Sequence, residues 1–273
     1  MRQLLAREHI DFQVTRGEDL DKPVSSGDTL DTADTRIIAT YVAEGGLLGD
    51  RVYVFRLAKP QGTWRAAEVR WPEKPETGCQ GGSILKIRSV KGFLYLDGHI
   101  NPSASCTMVL TDNLKLHDTF YGWPVTQFQD GRVVYEHSEM HFAPTFYVEL
   151  SIYDPMSRRS RQIYPPSPAT PLRRQYIEKT KVAYERCCVD HPPADCGGAF
   201  ANRNHHCDPE LFDNSIGEIT VNDADDSITF KARFDDIAGS AEVIYSISHL
   251  RKGKPRVRET PAGDRGMSEA PPP

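Results

Sequence analysis

The densest group of chemically capable side chains is Cys187, Cys188, Cys196, His205, His206, Cys207 and Asp208, all in one short polar stretch. Thiolates and imidazoles are the usual ligands of zinc, so Cys196, His205, His206 and Cys207 could in principle hold one ion. The spacing favours a different chemistry. No C-x2-C pair is present, and adjacent cysteines such as Cys187 and Cys188 rarely aim both sulfurs at one tetrahedral ion. Two disulfides, with Cys187 and Cys188 each reaching Cys196 or Cys207, would instead staple a loop broken by proline and glycine that has no core of its own. Each closure would contribute about 2–4 kcal/mol. Cys79 and Cys106 remain as a third pair, although six cysteines allow 15 connectivities and sequence does not choose among them. The metal reading stays open as the alternative, and no cofactor is expected.

A second set is dispersed. His99, His117, His137 and His141 lie on or beside strand-like segments. If they converged they could bind metal or act as a base, because imidazole changes charge near neutral pH. Histidines scattered on strands more often simply face a neighbour. His99 and His137, with Trp123, are the candidates for contacting a ligand, whereas Trp64 and Trp71 read as packing. Asp223, Asp225 and Asp226 lack the glycine and later glutamate of a calcium loop and read as a turn. Ser103, Ser105 and Ser138 lie outside any G-x-S-x-G context. The basic run Arg251, Lys252, Lys254, Arg256 and Arg258 reads as a solvated hairpin and a charged edge strand, or as a small anion patch.

The elements that must position these residues are mostly strands. Residues 131–166 hold three in succession, Val133 to His137, Phe146 to Tyr153 and Ser160 to Tyr164, separated by proline-containing turns that cannot continue a ladder. Further strands are expected at His9 to Thr15, Arg36 to Ala43, Asp50 to Leu57, Thr63 to Trp71, Ile84 to Arg88, Phe93 to Ile100, Thr107 to Thr111 and Lys115 to Tyr121. Others are expected at Ile216 to Val221, Ser227 to Phe234, Glu242 to His249 and Pro255 to Glu259. One helix interrupts them. Thr170 followed by Pro171 is an N-cap signal, and Leu172, Tyr176, Thr180, Ala183 and Cys187 recur at helical steps. Asp208-Pro209-Glu210 signals a second, short helix ending at Asn214.

Length, charge and compartment bound the rest. The 273 residues suffice for a large β domain, and a formal net charge of -5 gives no general attraction to phosphate backbones, so nucleic acid is not an expected partner. The sequence contains no apolar run long enough for a membrane-spanning helix. Residues 1–12 do not form a signal peptide, because Arg7, Glu8, His9 and Asp11 interrupt the apolar stretch. The even cysteine count nevertheless points to an oxidising compartment, periplasmic or secreted, with any export signal absent from this chain.

Aromatic-proline pairs at Trp71-Pro72, Trp123-Pro124 and Tyr164-Pro165 recur about 50 and then about 40 residues apart, a period with three or four strands that marks a β-propeller. The outer hairpins share one layout, beginning at Val52, Val148 and Val243. Ser151-Ile152-Tyr153-Asp154, a polar turn and Arg161-Gln162-Ile163-Tyr164 resemble a TolB-type propeller repeat, which implies a scaffold of blades with loops around a channel. A second clean Tyr-Asp turn is absent, and the alternative architecture is a β-sandwich. The expected organisation is a lead-in over 1–34, an all-β propeller-like domain of about four antiparallel blades over 35–259 with a helical, cysteine-rich insert over 169–214, and a disordered tail over 260–273. The expected role is a non-catalytic exported scaffold that binds an unidentified protein or small molecule. The alternative is a propeller hydrolase or lyase with its site at one channel end.

Overall fold

A computed structural model describes residues 1–22, 24, 27–42, 51–71, 83–101, 104–139, 147–190, 213–236, 239–251 and 253–262. The chain is all-β and propeller-like, and its described residues form four successive antiparallel sheets. The first holds β1 (Asp28–Asp31), β2 (Thr35–Tyr41), β3 (Arg51–Ala58) and β4 (Trp64–Arg70), and the second β5 (Ser83–Val90), β6 (Phe93–Asn101), β7 (Ala104–Thr111) and β8 (Leu116–Tyr121). The third holds β9 (Trp123–Gln127), β10 (Val133–Glu139), β11 (Tyr147–Asp154) and β12 (Arg159–Tyr164). The fourth holds β13 (Asp213–Ile216), β14 (Thr220–Asn222), β15 (Ser227–Asp236), β16 (Gly239–Ser248) and β17 (Arg256–Pro261). β13 and β14 pair with opposite ends of β15 and act as one interrupted strand. Two α-helices, α1 (Arg2–Arg7) and α2 (Pro171–Asp190), and one 3-10 turn, Gly17–Leu20, complete the described elements.

Two compact units divide the chain: Met1–His137 with Tyr153–Arg159, and Ser138–Ile152 with Ser160–Pro273. In the first unit the central strands of the first sheet are buried on both faces, which is why their sequences are near-continuous apolar runs. Ile37, Ala39, Val52 and Val54 pack on Leu94, Leu96, Cys106 and Met108 of the second sheet. Ile38, Tyr53 and Phe55 on the opposite face are covered by Met1, Leu4, Ile10 and Val14. The segment read as a strand at His9 to Thr15 is therefore not one. It is an irregular cover whose apolar residues reach the sheet while its backbone stays out of the ladder.

This cover is locked by a buried ion pair. The Asp19 carboxylate, fully buried, accepts from the Tyr53 hydroxyl at 2.6 Å and the Arg51 guanidinium at 3.3 Å, and Lys22 lies 3.1 Å away. Burial alone would raise the Asp19 pKa, but the Tyr53 hydrogen bond together with Lys22 and Arg51 outweighs it and holds the carboxyl below its ordinary range.

The second unit centres on the fourth sheet. Tyr164 meets Phe230 and Tyr245 edge-on at 5.1 and 5.2 Å between ring centroids, and Tyr176 of α2 packs on Phe234 at 4.7 Å. The stripe expected on α2 holds at Tyr176 and Thr180, but Arg173 is buried with them and lies over the Tyr164 ring, while Leu172 is half-buried. Leu172 N is capped from a distance: its donor goes to Glu259 Oε1 of β17 at 2.5 Å.

Several boundaries differ from the sequence reading. β1 lies inside the stretch read as a lead-in and pairs with β2 from Asp28 onward. Trp123-Pro124 does not end the second sheet but opens the third, where β9 is an edge strand among the described residues, paired with β10, and the missing proline donor is tolerated. Asn214, read as a helix end, lies in β13. Thr260 and Pro261, assigned to the tail, pair with Ile244 and Val243. Residues 263–273 and the helix expected at Asp208 lie outside the described residues.

Candidate functional site

Backbone register gathers three of the ligand candidates at one end of β6 to β10. His99 on β6 opposes Ser105 on β7, and Ser105 O accepts from Gly122 N at 2.7 Å. Gly122 leads directly into Trp123, which opposes Glu136 on β10, beside His137. The crossing requires glycine at 122. Its φ is +117°, and a Cβ there would stand 2.4 Å from Glu136 O. Thr107 Oγ1 donates to Gly122 O at 2.9 Å and fixes the same junction.

Around this junction the side chains are polar but partly committed. The His137 ring stands edge-on to Tyr121 at 4.5 Å, and Trp123 is half-buried. Burial raises the Glu136 pKa. The His99 side chain lies outside the described residues.

Sequence reading missed the deepest part of the site. Asp97 is only 6% exposed, and its Oδ2 lies 3.3 Å from Arg88 Nε. The same guanidinium donates through NH2 to Pro124 O, so one arginine ties β5 to β6 and to the first strand of the third sheet. Asp97 Oδ1 is buried without a hydrogen-bond partner among the described residues. Burial pushes the Asp97 carboxyl up to about 6, against the pull of Arg88. Such a group changes protonation near neutral pH and can accept or donate a hydrogen bond there. The alternating apolar and charged residues of β5 and β6 place Arg88 and Asp97 on strands, but nothing local in sequence says that their tips meet.

The other candidates are accounted for individually. His117 does not join this group: its Nε2 lies 2.7 Å from Pro155 O and its ring packs on Phe93 at 4.9 Å. The Asp223 to Asp226 segment is a turn, with Asn222 Oδ1 accepting from Ala224 N and Asp225 N, and with Asp226 at φ +48°. Trp64 Nε1 donates to Glu8 O at 3.1 Å, and Trp71 packs against Gly98 in the core, as packing residues do. Cys106 is fully buried on β7 and disulfide-bonded. Cys79, Cys196, Cys207, His141, His205, His206 and Ser103 lie outside the described residues, as do the side chains of Cys187, Cys188 and Ser138. Among the described residues no cluster of three or more His, Cys, Asp or Glu could hold a metal, and no helix is long and apolar enough to cross a membrane.

No protein-family model and no curated protein matches the sequence. Among solved structures the chain is similar to the beta-propeller domain of the Trilobed protease from Pyrococcus furiosus, with 9% identity, 88% of this chain and 83% of that chain covered, and a TM-score of 0.24.

Proposed function

We propose that this chain is a non-catalytic, exported scaffold of β-propeller type that binds a protein or small-molecule ligand, with TolB-type repeats as its building unit. The observation that carries the reading is the commitment of polar side chains between neighbouring sheets to holding those sheets together: Arg88 bridges Asp97 and Pro124 O, and Tyr153 donates to Asp118 Oδ2 at 3.1 Å. A ligand would meet Trp123, His137 and Glu136 at the end of β9 and β10. The Tyr153-Asp154 strand end, with Met156 N and Ser157 Oγ both donating to the Asp154 carboxylate, supports the TolB-type repeat.

A hydrolase or lyase is the second reading, and one observation favours it. Asp97 and Glu136 both have pKa values raised by burial, and carboxyls perturbed in this way concentrate at catalytic sites.

Export, to the periplasm or outside the cell, is supported by the disulfide at Cys106, because such bonds persist in oxidising compartments. Cys79 is the proposed partner, and Cys187, Cys188, Cys196 and Cys207 form the proposed staple of the insert. Peptide mapping of native protein alkylated without reductant tests this. A Cys79–Cys106 linked peptide is the expected result. Alkylation of both residues in the native state would overturn the pairing and remove the support for export.

A further inference from the structure

The fourth sheet is two-faced. Ile228, Phe230, Ala232, Phe234, Val243 and Tyr245 point to its buried side, which α2 covers through Tyr176. The opposite side is mostly polar and exposed, with Ile244 half-buried within it. One row crosses four strands, Thr220 opposite Thr229, Thr229 opposite Ser246, and Ser246 opposite Arg258. A parallel row ends with Ser248 opposite Arg256. At about 4.8 Å per strand each full row is about 14 Å long, and the two arginines, two residues apart on β17, stand about 7 Å from one another.

The charges on this face do not cancel. Glu242 accepts from Lys231 at 3.2 Å and lies opposite Arg233, so the carboxylate is already used. Arg256 and Arg258 are exposed and make no hydrogen bond or ion pair among the described residues. Lys254, in the preceding turn, is exposed as well. A cationic face on a chain of net charge -5 is a local departure from the whole-protein field.

We propose that this face binds an acidic polysaccharide, a linear chain carrying carboxylates on hydroxyl-rich rings. Arginine forks pair with carboxylates bidentately, and rows of serine and threonine hydroxyls supply both donors and acceptors to sugar hydroxyls. A nucleic acid strand fits less well, because among the described residues no aromatic side chain stands on this face for bases to stack on. The proposal deepens the scaffold reading and rests on it, since an exported binder meets such polymers outside the cell.

The test is equilibrium binding of the full chain to polygalacturonate, with dextran and single-stranded DNA as comparators, at several salt concentrations. Polygalacturonate binds, dextran does not, DNA binds more weakly, and affinity falls as salt rises. The double variant Arg256→Glu and Arg258→Glu binds about tenfold more weakly or worse. Ser246→Asp, which leaves both arginines in place, also weakens binding. Both variants keep the wild-type thermal midpoint, because all three residues lie on the open face. Absence of polygalacturonate binding, equal or tighter binding of DNA, or variants that bind like wild type would each overturn the proposal. Binding that survives both variants removes this face and leaves the scaffold reading standing, whereas variant-sensitive binding with cleavage of the polymer removes the scaffold reading and leaves the face.

Discussion

Asp97 carries the sharpest residue-scale consequence. Its carboxyl titrates at about 6 in the folded chain instead of 3.8, so the folded state holds a proton that the unfolded state has released throughout that window. Its contribution to stability is therefore fully present below pH 3.8 and is lost as pH rises through about 6. At 1.36 kcal/mol per pH unit the loss is about 3 kcal/mol. Urea midpoints measured from pH 4 to pH 7 should show this fall in wild type, and Asp97→Asn should flatten it; an unchanged slope in the variant would place the titrating group elsewhere. Two other residue-scale features show the limits of sequence reading. Asp19 sits in an acidic, turn-forming run and meets Arg51 and Tyr53 only after the chain has folded back. Arg88 and Asp97 have the pattern of ordinary solvent-facing positions on alternating strands, and only the packing of the sheets buries Asp97 and half-buries Arg88.

At the scale of elements, the strands richest in β-branched and aromatic residues were legible, because a pleated, half-buried surface selects those residues. β3, β6, β11 and β16 fall close to where the sequence places them. The first strands of the first and third sheets were not legible. β1 reads DTLD and β9 reads WPVTQ, short segments with a turn-like composition whose strand character comes from pairing with β2 and β10. Trp123-Pro124 looked like a terminator for the same reason. The helix start was legible at Pro171, yet the donor of Leu172 is satisfied by Glu259, far away in sequence. Replacing Glu259 with alanine should lower stability by about 1 kcal/mol, read from denaturant midpoints, as loss of a helix cap does. No change would mean that water replaces the carboxylate without cost.

At the scale of the whole molecule, the recurrence of antiparallel sheets follows from a repeating pattern of hairpins, and that pattern is legible in the order of strands and turns along the chain. The period is not metrically regular, because the aromatic-proline pairs mark different places in successive sheets: Trp71 follows β4, Trp123 begins β9 and Tyr164 ends β12. Function is less legible than fold. Most of the cysteine-rich stretch lies outside the described residues, while the described geometry directs attention to the Arg88–Asp97 junction and to the open face of the fourth sheet. The central claim is that this chain binds without catalysing, and the most direct measurement is the length distribution of polygalacturonate held with saturating native protein over many hours. The account predicts a bound polymer whose lengths do not change. Progressive shortening in proportion to protein concentration, abolished by Asp97→Asn, would contradict it and make the junction an active site.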